Sequence, residues 1–125
     1  MSTDTGAFGA HGEAVAAAAL ARRGYRIVER NYRSRWGELD VVAYDGDTLV
    51  FVEVKARRGA QFGDPAFAVD RRKQRRLVRL AQQYLSRRRL GEPLCRFDIV
   101  VVDERPEGPP RVDVITNAFD ASCAE

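Results

Sequence analysis

The stretch GELDVVAYDGDTLVFVEVK, residues 37–55, decides the fold of this chain because it reads as one β-hairpin. Its two hydrophobic runs, LDVVAY and LVFVEVK, are rich in the β-branched and aromatic residues that favour strands. Between them, the DGDT sequence of residues 45–48 suits a two-residue hairpin loop that begins at Gly46. The charged residues inside these runs are the informative exceptions, since a desolvated charge is costly unless it is paired or binds a metal.

Four charged side chains are predicted to meet on one face of this hairpin. If the residues that flank the loop are paired, Asp40 lies opposite Glu53 and Glu38 lies opposite Lys55. Residues two apart on a strand share a face, so the three carboxylates and the ammonium group project together. The other face is then apolar, with Leu39, Val41, Val52 and Val54. Each residue alone is explained more readily as a solvated or ion-paired surface group, but the four together are typical of a metal site that hydrolyses phosphodiesters.

The composition indicates one soluble, globular domain. The chain has 125 residues, of which 45% are hydrophobic and 31% are charged, and this is enough to form a core. No apolar run reaches the length of a membrane span, and the N-terminus lacks the basic segment of a secretory signal. Cys95 and Cys123 do not suggest a disulfide framework, so we expect a cytoplasmic protein without a membrane partner.

Hydrophobic periodicity predicts further elements on both sides of the hairpin. The predicted elements are a helix over 10–23, a strand over 25–31, the hairpin strands 33–44 and 48–57, a helix over 66–89, and strands over 94–103 and 112–116. Asp70 is placed to cap the second helix or a segment of it. The order predicts an α/β fold in which helices sandwich a mixed sheet. We expect a single domain over residues 9–117, with flexible tails at 1–8 and 118–125.

The second predicted helix carries a dense basic stripe. Arginine binds phosphate bidentately, and basic clusters attract nucleic acid by counterion release. The residues predicted to contact nucleic acid are Arg72, Lys73, Gln74, Arg75, Arg76 and Arg79. A solvated helix face, balanced by acidic residues elsewhere, is the alternative. Trp36 is suited either to stack on a base or to pack at the edge of the hairpin.

A longer pattern joins these pieces. Asp40, a hairpin and then Glu53-Val54-Lys55 are accompanied by HGEAVAAAAL, GELDVVA, FVEVKAR and RKQRRLVRLAQQYL, across most of residues 9–102. The pattern resembles the YraN-like family of small uncharacterised bacterial proteins, within the PD-(D/E)xK nuclease superfamily that includes Holliday junction resolvases. Leu39 stands where the nominal motif has proline.

The resemblance implies a restriction endonuclease-like sheet and assigns roles to four residues. Asp40 and Glu53 are expected to bind Mg²⁺ or Mn²⁺, with Lys55 as the catalytic lysine. Glu13, in the first helix, is expected near the metal, although the helix dipole explains a first-turn acid equally well.

The sequence therefore predicts a metal-dependent endonuclease that acts on DNA, including branched or repair intermediates. RNA is a further candidate substrate, because no element recognisably reads base edges or a 2′-hydroxyl. The alternative is a non-catalytic nucleic-acid-binding module that retains the nuclease fold. A homodimer is a further expectation, since two symmetric cuts need two sites.

Overall fold

A five-stranded mixed sheet carries one helix on each face. The computed structural model of the chain describes residues 3–58 and 69–119, with side chains from residue 10 onward. Its elements are α1 (Thr3–Arg22), β1 (Arg26–Ser34), β2 (Gly37–Asp45), β3 (Thr48–Arg58), α2 (Arg71–Arg87), β4 (Cys95–Glu104) and β5 (Arg111–Phe119). The predicted α/β class and the order α-β-β-β-α-β-β are confirmed.

The sheet follows the chain order, β1-β2-β3-β4-β5. The first three strands form an antiparallel meander, β4 runs parallel to β3, and β5 returns antiparallel to β4. Helix α2 lies in the connection from β3 to β4, as a parallel pair requires. β3 thus lies at the centre of the sheet.

Each face of the sheet has its own apolar core. Ala16 and Leu20 of α1 pack on one face, and Leu77 and Tyr84 of α2 pack on the other. Strand β4 supplies both cores, because Ile99 and Val101 face α2 whereas Val100 and Val102 face α1. This two-sided burial explains the continuous run of aliphatic residues in β4.

Several element boundaries differ from the predicted ones. α1 begins at Thr3 rather than Ala10, and β5 extends to Phe119. α2 begins at Arg71, where the side chain of Asp70 accepts a hydrogen bond from the backbone N–H of Lys73 at 2.9 Å. The predicted helical segment 66–68 lies outside the described residues, and the domain bounds stay a prediction. None of the described helices is long and apolar enough to cross a membrane.

The alternation of the β2 side chains between the two faces of the sheet reverses at Asp40. Val41 belongs to the core under α1, but Leu39 belongs to the core under α2, together with Val42. The pairing of β1 with β2 skips Asn31 and Asp40, and Asn31 has a left-handed backbone with φ of 57°. The prediction that Leu39 and Val41 share a face is therefore wrong, because their side chains belong to opposite cores on either side of this interruption.

Asp98 is a buried acid whose hydrogen bonds are satisfied within the fold. It accepts bonds from the hydroxyl of Tyr25 at 2.8 Å, from Nε of Arg96 at 2.9 Å and from the backbone N–H of Asn117 at 2.9 Å. These bonds join α1's C-terminal connection, β4 and β5. Asp98 therefore has a structural role, since buried charges are retained where partners compensate their desolvation.

Candidate metal centre and basic groove

Asp40 lies where β2 and β3 stop pairing regularly. The paired residues run from Asp45–Thr48 to Val41–Val52, which is the register predicted from the turn. Beyond that point, the carboxylate of Asp40 accepts a hydrogen bond from the backbone N–H of Val54 at 2.8 Å. This bond fixes the carboxylate beside β3, between Glu53 and Lys55.

Three carboxylates converge at Asp40. One carboxylate oxygen each from Glu13, Glu38 and Asp40 lies within 4.8 Å of the others. Glu13 reaches the cluster from α1, where a Cβ on the preceding Gly12 would lie only 2.7 Å from the Cβ of Ala56. The missing side chain at position 12 thus lets α1 rest closely on β3. Burial, followed by the charge of Glu38, raises the pKa of Glu13.

Glu38 does not have the predicted partner. Its carboxylate accepts a 2.8 Å hydrogen bond from Nε of Arg33 on β1, and it lies beside Glu13. The expected cross-strand partner, Lys55, instead lies near Lys73, Glu53 and Asp40, whose charges act on its pKa. The reversal of β2 at Asp40 accounts for this difference, since Glu38 precedes the reversal. The sequence predicted Glu38 on the charged face but carried no signal for its contact with Glu13.

Glu53 is held by α2. Glu53 is buried, with 8% of its surface exposed, and its Oε2 lies 2.6 Å from Nζ of Lys73. Lys73 was predicted to contact nucleic acid from the basic stripe, yet its ammonium points toward the acids of the sheet. Burial alone would lower the pKa of Lys73, but the hydrogen bond and charge of Glu53 raise it. Glu53 therefore enters the site already paired, whereas Glu13, Glu38 and Asp40 form a separate acidic group.

The charges of Glu53 and Lys73 act on the pKa values of Asp40 and Lys55. Burial and the charge of Glu53 raise the pKa of Asp40 to about 8, although the hydrogen bond from Val54 opposes the shift. Burial and the charge of Lys73 lower the pKa of Lys55. Without a cation, burial and the neighbouring carboxylates therefore favour the protonated form of Asp40. The donors Asp40, Glu53, Glu13 and Glu38 are all carboxylate oxygens, so the site fits a hard divalent cation that would relieve this repulsion.

The basic stripe of α2 forms one wall of an open groove of about 620 Å³. Its lining residues are Trp36, Asp70, Arg72, Lys73, Arg75, Arg76 and Arg79, a set that we call the basic groove. Gln74 lies apart from this lining, because its side-chain amide donates to the carbonyl of Val69 at 2.9 Å and so braces the start of α2. The predicted arginines and Lys73 are therefore brought together in one groove. Trp36 also lines this groove, and the sequence carried no signal for that position.

Comparison with known proteins gives consistent matches along most of the chain. The model for the uncharacterised protein family UPF0102 matches residues 12–102. A UPF0102 protein of Symbiobacterium thermophilum is 53% identical over 113 residues, which cover 90% of this chain and 96% of the relative. A UPF0102 protein of Syntrophus aciditrophicus is 50% identical, with 87% of this chain and 85% of the relative covered. One of Geobacter sulfurreducens is 47% identical, with 90% and 88% covered.

Proposed function

Because the chain belongs to the uncharacterised protein family UPF0102, which confirms the YraN-like family predicted from its sequence, we propose its function from its own site chemistry. We propose a divalent-metal-dependent endonuclease that hydrolyses phosphodiester bonds of DNA. The observation that carries the proposal is the fixed carboxylate of Asp40, crowded by three further carboxylates and flanked by Lys55. This placement also supports membership of the PD-(D/E)xK nuclease superfamily.

Asp40 and Glu53 would hold Mg²⁺ or Mn²⁺, with Glu13 as a further ligand. Glu38 lies close enough to Asp40 and Glu13 to join them or to orient a ligand water. A bound cation neutralises charge on the phosphate and favours ionisation of the attacking water. The contact of Val54 with Asp40 keeps one oxygen of that carboxylate in a fixed orientation.

Lys55 is proposed as the catalytic lysine. Its lowered pKa makes the neutral amine more accessible, so that Nζ can accept a proton from the attacking water. In its charged form, the same group would stabilise negative charge that develops on the phosphate. Lys73 acts on Glu53 as a counter-charge and also lines the basic groove, where it can contact a phosphate.

The substrate that we propose is DNA, including branched or repair intermediates. The groove presents several guanidinium groups together with Lys73, which contacts Glu53, and these would bind the phosphates on either side of the cleaved bond. A homodimer would supply two sites for cuts in two strands.

A cleavage assay tests the proposal directly. Linear, flap and four-way-junction DNA are incubated with the protein and Mn²⁺, and the products are resolved on denaturing gels. The wild-type protein is expected to cut at least one substrate, whereas Asp40→Ala and Lys55→Ala proteins are inactive. Asp47→Ala, a change at an exposed acid of the hairpin turn, is the matched control and should retain activity. Activity that survives both active-site changes belongs to a contaminant and ends the proposal.

The second candidate is a non-catalytic nucleic-acid-binding module. It is favoured by the ion pair of Lys73 with Glu53, in which the ammonium group neutralises one expected metal ligand without any metal ion. Calorimetric titration separates the two functions. Strongly salt-dependent DNA binding, combined with no heat of Mn²⁺ or Mg²⁺ binding, would support the module.

A further inference from the structure

Trp36 presents an exposed indole to the basic groove. It lies in the turn between β1 and β2, is 46% exposed and lines the groove with the arginines of α2. The guanidinium of Arg35 lies 5.0 Å from the ring centroid. The indole is thus surrounded by positive charge, and much of its surface remains in contact with solvent.

Close packing holds this turn against α2. Gly37 has φ of +135°, and a Cβ there would lie 3.4 Å from Cδ1 of Leu80 and 3.9 Å from Cδ of Arg76. The backbone N–H of Trp36 donates to Oγ of Ser34 at 3.1 Å. A residue with a side chain at position 37 would have to adopt a strained backbone, with its Cβ in van der Waals contact with Leu80. The position of the indole beside the arginines therefore follows from the packing of the turn.

The basic groove leads to the acidic site. Lys73 lines the groove, and its Nζ is 2.6 Å from the carboxylate of Glu53. A strand bound in the groove at Lys73 would consequently lie close to Glu53. Trp36 and Glu53 are thus linked through Lys73, which lines the groove and contacts Glu53.

We propose that the basic groove binds unpaired nucleotides, with a base stacked on Trp36 and the phosphates bound by Arg72, Arg75, Arg76 and Arg79. In a duplex, each base is covered above and below by its neighbours, so an indole gains little from it. An unpaired base offers a free π-face, and aromatic side chains beside a positive groove are the usual means of binding single strands. This inference rests on the proposed nuclease function for the fate of the bound strand, but the binding itself does not require a metal.

The chain contains a single tryptophan, so its fluorescence reports on this position alone. Metal-free protein in EDTA is titrated with a single-stranded DNA of about 16 nucleotides, near the upper site size of single-strand-binding folds, and with the blunt duplex of the same sequence. We expect saturable quenching by the single strand, and weaker binding with little quenching by the duplex at the same salt concentration.

Single substitutions test whether binding of the single strand depends on the indole of Trp36. In anisotropy titrations with a labelled strand, Trp36→Leu should weaken single-strand binding by about tenfold while leaving duplex binding unchanged, because stacking is lost and charge is not. Trp36→Phe should restore most of the affinity. Leu94→Ala removes another exposed apolar side chain and should bind like wild type. Matching thermal unfolding curves show that each variant is folded.

Two results together overturn the inference. The wild-type and Trp36→Leu proteins bind the single strand with equal affinity, and the single strand leaves the fluorescence of the wild-type protein unchanged. This outcome is distinct from failure of the nuclease proposal. A protein that cuts DNA through Asp40 and Lys55 but shows no response at Trp36 would retain its proposed activity and lose the proposed preference for unpaired nucleotides. Quenching of the Trp36 fluorescence by the single strand, without cleavage of any DNA, would support the proposed binding of unpaired nucleotides and contradict the nuclease proposal.

Discussion

Nζ of Lys73 on α2 lies 2.6 Å from Oε2 of Glu53 on β3, and this ion pair joins a helix to the centre of the sheet at the candidate site. Glu53 is buried, so its charge depends on the lysine for compensation. Glu53 lies outside the group that Glu13, Glu38 and Asp40 form, although its charge acts on Asp40. A cation bound between Asp40 and Glu53 would therefore compete with Lys73 for the same carboxylate.

Replacement of Lys73 by methionine should destabilise the metal-free protein. Loss of the ammonium leaves a buried carboxylate without its partner, and we expect the free energy of unfolding in EDTA to fall by about 2 kcal/mol, less than for a fully buried pair. Urea unfolding measures this change. Arg72→Met, at an exposed position one residue away, should change it by no more than about 0.5 kcal/mol.

The same variant reports on Glu53 as a metal ligand. Saturating Mn²⁺ should stabilise Lys73→Met more than it stabilises wild type, because the cation no longer competes with the lysine. An equal Mn²⁺-induced shift in the two proteins would contradict ligation by Glu53.

Lys55→Met should abolish most of the activity and preserve the fold. General base or electrostatic help from one side chain contributes roughly 100- to 10,000-fold, so single-turnover cleavage with Mn²⁺ should slow by that factor. Mn²⁺ affinity should stay the same or increase, since a nearby positive charge is removed. Lys55→Arg separates the two roles, because a guanidinium keeps the charge but cannot accept a proton at neutral pH. Wild-type cleavage by Lys55→Met would remove this lysine from the mechanism.

The stability of the metal-free protein should decrease as pH rises toward 8. The pKa of Asp40 is raised to about 8 in the folded state, whereas an aspartate in an unfolded chain has a pKa of about 3.9. Between these values the folded protein binds the extra proton, so the free energy of unfolding falls with increasing pH. The slope is at most about 1.4 kcal/mol per pH unit for this one group.

Urea unfolding in EDTA at several pH values between about 5 and 8 measures that slope. Asp40→Asn should flatten it, because the amide does not titrate. Asp47→Asn, in the exposed turn, is the control and should keep the wild-type slope. A wild-type slope in Asp40→Asn would show that another group dominates the titration.

Gly12→Ala should be tolerated only when Ala56 is replaced by glycine in the same protein. The Cβ of an alanine at position 12 would lie 2.7 Å from that of Ala56, so Gly12→Ala forces α1 away from β3 and moves Glu13 relative to Asp40. We expect a loss of about 1–3 kcal/mol in unfolding free energy from overpacking, despite the better helix propensity of alanine. Thermal and urea unfolding measure this loss, and Mn²⁺ titration measures the effect on the site.

The double variant Gly12→Ala/Ala56→Gly tests the cause. It restores the space between the helix and the strand, so it should be more stable than the sum of the two single changes predicts. Additive losses in this cycle would mean that the two positions do not limit the approach of α1.

The hairpin was predictable because its information is local. Gly46 and the alternating runs around it fix the turn and the register, and the pairing from Asp45–Thr48 to Val41–Val52 confirms both. The reversal of β2 was not predictable from its own residues. It accompanies the left-handed backbone of Asn31 on the neighbouring strand, and Asn31 lies in the middle of an ordinary strand pattern.

The amino-acid sequence by itself determined the α/β class, the order of the elements, the hairpin that carries Asp40, Glu53 and Lys55, and the family of the chain. These features depend on turn residues and on hydrophobic period, which act over a few positions along the chain. Only the tertiary structure decided that Lys73 binds Glu53, that Glu13 and Glu38 meet at Asp40, and that Trp36 joins the basic groove. Such contacts are set by how closely each helix packs on the sheet, and that distance depends on side chains that are far apart in the sequence.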